Sequence, residues 1–228
     1  MKKLTIPESI FKVSFPLIAI TATIVLSILK IQSFHAWQYT SDVFHYDHFL
    51  NELIFHGHPI NFRYGNLLGD HAYLFLYLLT PLKLLLKDNH IYLLLLLNPI
   101  LYLVTALLLF NLTRRLTDIT NSFFISIAYL AGFGILYRGL LEGIYGFHPD
   151  IGAGFLIIAA TFFFILDDQS KTDQRGWLIT ASILSTVYLL TKEETAILGI
   201  IYFSLLYVGT RKKKISLVHF NFHNSGHC

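Results

Sequence analysis

The chain has 228 residues, 54% of them hydrophobic and 14% charged, with a formal net charge of +3. Soluble domains carry about 25% charged residues, so too little polar surface exists to coat a water-soluble globule, and a bilayer must solvate much of this chain. The positive charge sits in clusters beside apolar runs, a pattern of membrane orientation rather than of a basic nucleic-acid-binding face, and no nucleic-acid partner is expected.

Met1-Lys2-Lys3 leads into an apolar run over 13–34. That run is longer than a signal-peptide core and lacks a small-residue cleavage site, so it reads as an uncleaved first span. A span needs about 20 mostly apolar residues. Six runs qualify: 13–34, 91–111, 121–140, 150–167, 177–192 and 194–210. A seventh, 72–86, holds Pro81 and Lys83 and is short. It reads either as a short span or as a helix lying at the interface.

Basic residues set the orientation. The clusters are Lys2/Lys3/Lys12, Arg114/Arg115, Lys171/Arg175 and Arg211 to Lys214. All of them face the cytoplasm only if 72–86 does not cross. The expectation is therefore an all-α, multi-pass protein of the cell membrane with a cytoplasmic N-terminus. Its membrane domain is 1–214, with an outer loop 35–90, and 215–228 reads as a tail. Trp37, Tyr39, Tyr46, Tyr73 and Tyr77 suit an interfacial aromatic belt. The sole cysteine, Cys228, excludes an intrachain disulfide.

On this path Asp42, Asp47, Asp70, Glu142, Asp150, Glu193 and Glu194 share the outer side. The first outer loop opens Ser41-Asp42-Val43-Phe44-His45-Tyr46-Asp47-His48. An Asp at the mouth of a membrane cavity can act as a general base towards an acceptor hydroxyl or as a ligand for a divalent cation. It can equally be an ordinary solvated loop residue. Gly69-Asp70-His71 follows; Asp70 suits a helix cap, which leaves His71 as the more informative residue. His45-x-x-His48 would share a helix face and His56-x-His58 a strand face. No further ligands stand at a diagnostic metal spacing.

The run Glu142 to Asp150 contains Tyr145, Phe147, His148 and Pro149. Pro149 suits the first turn of the next helix and Asp150 its positive end, which does not account for Glu142, Tyr145 and His148 beside them. Thr191-Lys192-Glu193-Glu194 interrupts an almost continuous apolar stretch. At mid-membrane each charge would cost about 2.5–3.5 kcal/mol; a tight outer turn avoids that. An ordinary turn would use Gly, Pro, Asn or Ser, whereas Lys beside two Glu suits an anionic ligand.

These pieces together resemble a family of membrane proteins designated domain of unknown function 2079. The shared features are Asp42-x-x-x-x-Asp47, Gly69-Asp70-His71 ahead of a segment with Pro81, Phe147-His148-Pro149-Asp150, and Thr191-Lys192-Glu193-Glu194. The likeness covers about 35–210. That family in turn is similar to the type C glycosyltransferases, membrane enzymes that use polyprenyl-phosphate sugar donors. The resemblance implies Asp42 as catalytic acid residue, with Asp47 second and Asp150 as an acid of the second outer loop. It departs at Ser41, where an aromatic is expected. Family members also continue with several more spans, so this chain looks like their N-terminal part.

The expected function is transfer of a sugar from a polyprenyl-phosphate donor on the outer face. Asp42 would be the base for the acceptor hydroxyl. Lys192 and Arg138 are candidate phosphate partners, and Glu193, Glu194 and His71 complete the candidate donor set. A divalent metal ion held by Asp42, Asp150 or His148 is the candidate cofactor. Two alternatives stay open: a lipid-binding or transporter-like module, and an inactive truncated product.

Overall fold

Apolar residues recur without interruption over the long helices, and the backbone closes its own hydrogen bonds there as a bilayer requires. The computed structural model describes residues 7–39, 41–57, 60–61, 65–66, 74–86, 91–132, 146–169, 175–192, 194–205 and 207–208. In chain order the elements are α1 (Glu8–His35), α2 (Ser41–His56), β1 (Ile60–Asn61), β2 (Gly65–Asn66), α3 (Leu76–Leu86), α4 (Ile91–Leu116), α5 (Ile119–Leu130), α6 (Pro149–Asp168), α7 (Arg175–Leu189) and α8 (Glu194–Leu205). The two strands form one short antiparallel pair, with Ile60 opposite Asn66. Among the described residues, α1, α4 and Ile151–Asp168 of α6 are long and apolar enough to cross a membrane. Helices α3, α5, α8 and Gly176–Leu189 of α7 are apolar but shorter.

The expected runs 13–34, 91–111 and 150–167 thus lie within single helices. The run 121–140 is helical to Leu130, and 133–140 falls outside the described residues. The expected interfacial segment 72–86 is helical from Leu76.

Within the expected outer loop 35–90, residues 41–56 form helix α2. Val43, Tyr46, Phe49 and Leu50 recur at helical spacing and are buried, but the Asp and His residues between them mask that periodicity. His56 accordingly ends a helix, not a strand, with Nδ1 3.0 Å from Glu52 one turn earlier.

Helix directions follow from contacts along their lengths. Phe15 of α1 stacks on Phe110 of α4 with ring centroids 4.5 Å apart, and His35 reaches Tyr92 at 3.2 Å, so α1 and α4 are antiparallel. Phe123, early in α5, packs on Phe11 and Phe15, so α5 starts beside the N-terminus of α1. Thr105 of α4 donates to the carbonyl of Phe155 in α6, and Asn98 donates to that of His148; α4 and α6 run parallel. Trp177 of α7 stacks on Phe163 of α6, and Tyr202 of α8 bonds Thr161 at 2.7 Å. The chain therefore passes up and down. The C-termini of α1 and α7 and the N-termini of α4, α6 and α8 meet at one end, and Arg114/Arg115 and Asp118 lie at the other.

The core lies in two main layers. Phe15, Ala19, Tyr102, Ala106 and Phe110 pack between α1, α4, α5 and α6. At the other level, Tyr39, Val43, Tyr46, Phe49, Leu76, Leu94 and Phe147 gather under α2 and α3. Outward faces are apolar as well: Val13, Leu17, Ile24, Ile179, Ile183, Ile197 and Ile201 are exposed. Large apolar side chains on the outside of a bundle mark a surface solvated by lipid rather than water.

Phe15 is fully buried and Val13 is 61% exposed on the same helix. Phe15→Ala leaves a cavity and is expected to cost about 3 kcal/mol, whereas Val13→Ala is expected to change stability by less than about 0.5 kcal/mol. Steric-trap or detergent unfolding of the two variants side by side checks this.

Candidate functional site

At the end where α1 and α7 finish, the chain closes on Asp42. This residue lies in the first turn of α2, where the positive end of a helix favours a carboxylate. Val43, Tyr46, Phe49 and Leu50 anchor α2 in the core; Asp42 stands one turn before Tyr46 on that same side of the helix and, at the helix end, is held at the rim, about a quarter exposed. His148 Nε2 stands 3.0 Å from Asp42 Oδ2. An ionised carboxylate only accepts, so Nε2–H donates.

The turn that carries His148 is fixed at each of its residues. Gly146 has φ +76, and a Cβ there would stand 2.9 Å from the Tyr39 ring. Both the left-handed backbone and the close ring require glycine. Phe147 is fully buried and meets Tyr46 edge-on at 5.5 Å. The His148 carbonyl accepts from Asn98 Nδ2 at 3.3 Å. His148 itself precedes Pro149, the first residue of α6, in extended conformation and makes no side-chain cap. Its ring is turned to Asp42 instead.

Asp47, one and a half turns further along α2, lies against Lys83 of α3. Lys83 Nζ donates to Asp47 Oδ1 at 2.9 Å and to the Asp47 carbonyl at 2.9 Å. The Lys83 side chain is 3% exposed and that of Asp47 15%. Asn51 also donates to Asp47, at 3.4 Å. Burial pulls the Lys83 ammonium below its ordinary range, and the hydrogen bond and charge of Asp47 oppose that shift. Lys83 reads in the sequence only as a charge that, with Pro81, interrupts the short run 72–86. A lysine among leucines must find an acid, and that requirement was the available signal.

The turn after α7 lies at the same end. The backbone N–H of Phe75, just before α3, donates to the Leu190 carbonyl at 2.9 Å, and Val187 and Leu190 pack on the cluster around Tyr46 and Phe147. Lys192 Nζ stands 3.5 Å from Glu194 Oε2; Glu194 is exposed and Lys192 largely covered. The turn closes without glycine because two threonines serve it. Thr191 donates to the Val187 carbonyl. Thr195 donates to the Tyr188 carbonyl and accepts from the Lys192 N–H. The absence of Gly or Pro there has this local explanation.

Asp42, Asp47, His148, Lys192 and Glu194 thus belong to one end of the bundle. Asp150 lies in the first turn of α6, at the same end, and its side chain is outside the described residues. Arg138, Glu193, His71, Asp70, Glu142 and Tyr145 fall outside the described residues entirely.

Of the three candidate metal ligands, Asp42 and His148 stand together, and the side chain of Asp150 lies outside the described residues. Among the described residues, no three His, Cys, Asp or Glu side chains gather as a metal-binding group.

Comparison with protein-family models, curated proteins and solved structures finds no match.

Two outcomes follow for the Asp47–Lys83 pair. Asp47→Ala leaves a buried, uncompensated ammonium and is expected to cost about 3–5 kcal/mol, whereas the double replacement Asp47→Leu with Lys83→Met is expected to be near neutral; a double-mutant unfolding cycle decides. Because the folded-state pKa of Lys83 lies below the ordinary 10.5, the unfolded chain holds this proton to higher pH. The contribution of Lys83 to stability is therefore fully present above pH 10.5 and is lost as pH falls through the folded-state value. Unfolding measured across that alkaline window is expected to show this slope in the native protein and not in Lys83→Met.

Proposed function

We propose that this protein is a membrane glycosyltransferase of the polyprenyl-phosphate-dependent type, or the part of one that carries its first outer loop. The observation that carries the reading is the bond from His148 to Asp42, which joins the acid of the first loop to the second loop's Phe-His-Pro-Asp turn. On this reading the Asp42 end faces outwards, helices α1, α4, α5, α6, α7 and α8 cross the membrane, and α2 and α3 lie at the interface. The membership in the domain of unknown function 2079 family is part of the same proposal.

The chemistry is a direct displacement at the anomeric carbon. The acceptor O–H loses its proton to the Asp42 carboxylate as the acceptor oxygen bonds the anomeric carbon. The bond from that carbon to the phosphate oxygen breaks, and polyprenyl phosphate leaves with the electron pair. His148 holds the carboxylate in one orientation. Lys192, at the mouth of the same end, supplies positive charge for the departing phosphate, the kind of preorganised electrostatic help that acts where charge develops. Asp47 is committed to Lys83 in this arrangement, which supports Asp42 as the base. The lipid tail would lie along the apolar outside of the bundle.

A transporter-like module draws less support. Transporters place broken helices and polar residues at the membrane midplane. Here α4 continues through Asn98-Pro99 as one helix, and Asn98 serves the His148 carbonyl.

Asp42→Asn is expected to lower sugar transfer from polyprenyl-phosphate donors by at least about 10²-fold, the usual worth of a general base, with membrane insertion intact. Transfer of labelled sugar in isolated membranes measures it, and retained transfer removes Asp42 as base. Lys192→Ala is expected to weaken donor binding; unchanged donor affinity takes Lys192 out of the phosphate site.

A further inference from the structure

Asn98 stands in the middle of an apolar helix and is fully buried. It sits beside Pro99, and a polar break of that kind invites a reading as a helix irregularity. Its contacts say otherwise. Nδ2 donates to the His148 carbonyl at 3.3 Å, and the opposite side of the amide faces α6 at Gly152. A Cβ on Gly152 would stand 2.5 Å from Asn98 Oδ1 and 3.6 Å from its Cγ. Real Cβ atoms are not found that close, so any larger residue at 152 drives the amide away. Leu101 stands 3.4 Å from the same point and closes the direction along α4. Gly152 has helical backbone, with no positive φ to call for glycine. What requires glycine at 152 is the Asn98 amide.

We propose that Asn98, given room by Gly152, is a positioning residue for the His148–Asp42 pair. The route has two links: the Asn98 amide to the His148 carbonyl, then the His148 ring to Asp42 Oδ2 at 3.0 Å. Pro149 follows His148 and restricts its backbone to extended conformations, and the His148 carbonyl, at the N-cap position of α6, takes that helix's first bond with the Asn98 amide as a second donor; together these fix its direction. Asn98 acts from the membrane side, while Gly146 under Tyr39 and Phe147 under Tyr46 set the preceding residues. The inference rests on the proposed role of Asp42 as base. It adds Asn98 and Gly152, neither of which touches the acceptor or donor, to the machinery that orients that base.

The test reads the imidazole and needs no substrate, so it stands apart from the search for sugar transfer. The full chain, labelled with 15N at histidine, is placed in lipid bilayers, and the ring N–H of His148 is assigned by its loss in His148→Gln. Exchange of that proton with solvent is then followed. Asp42→Ala is the reference for a broken bond. Asn98→Ala and Gly152→Ala are each expected to speed exchange about fivefold, the worth of one ordinary hydrogen bond. Gly152→Ala is expected to have no further effect in the Asn98→Ala background, since no amide remains for its methyl to displace. Backbone amide exchange in α4 and α6 is expected to stay native in all of these. If Asn98→Ala does not fold, Asn98→Leu, which keeps the same branched skeleton without the donor, takes its place. Unchanged ring-proton exchange in both single variants overturns the proposal. So does a Gly152→Ala effect of the same size with and without Asn98, because the crowding would then act through helix packing rather than through the amide.

Discussion

The His148 ring and the Asp42 carboxylate meet at 3.0 Å where the connection after α1 and the turn before α6 come together. A carboxylate at the rim of an apolar bundle is costly without a polar partner, and His148 supplies one from a distant part of the chain. That single bond requires the rest. Helix α2 must present Asp42 at its N-terminal end, one turn ahead of the buried Tyr46. The turn at 146–148 must hold the ring still, and α4 and α6 must run parallel so that Asn98 reaches the His148 carbonyl. The second acid of α2 is treated in the same way, by Lys83 of α3. These two pairs tie α2 to the helices on either side of it.

The lipid-facing surface imposes the complementary constraint. With leucine and isoleucine outside as well as inside, the bundle gains little from burying apolar area between helices, and packing has to come from shape and hydrogen bonds. The interior shows this. Tyr102 bonds the Leu130 carbonyl, Thr105 bonds the Phe155 carbonyl, and aromatic rings at Phe15, Phe110 and Phe123 interlock across three helices. Polar side chains that would be liabilities elsewhere join helices here. The same logic lets a buried asparagine in α4 serve the rim.

How much of this was legible in the sequence depends on the element. The long apolar runs of α1, α4 and α6 announced themselves by length, because a bilayer leaves few other uses for such runs. Helix α2 did not. Its apolar stripe is only one face of sixteen residues, and Asp42 and the buried His45, set among that stripe's residues, interrupt its pattern. His148 drew notice for its company in the turn, and Asp42 for its place after the first span, but nothing in their spacing says that they touch. Asn98 and Gly152 were harder still. One looked like a break and the other like a small residue in a helix, and their meaning exists only once α4 and α6 lie side by side. Lys83 was seen and its partner was not, since a pairing between two helices leaves no periodic trace.

Everything proposed for this protein depends on Asp42, His148 and Lys192 sharing one aqueous face. The direct measurement replaces Cys228 with Ser and places single cysteines at exposed positions. Trp37, Phe55 and Glu194 serve at the Asp42 end and Leu116 at the other. Intact cells are treated with a membrane-impermeant thiol reagent. The account predicts labelling from outside at 37, 55 and 194, and at 116 only after permeabilisation. Labelling at 37 with protection at 194 until the cells are opened would place the two turns on opposite sides of the membrane and contradict a shared site.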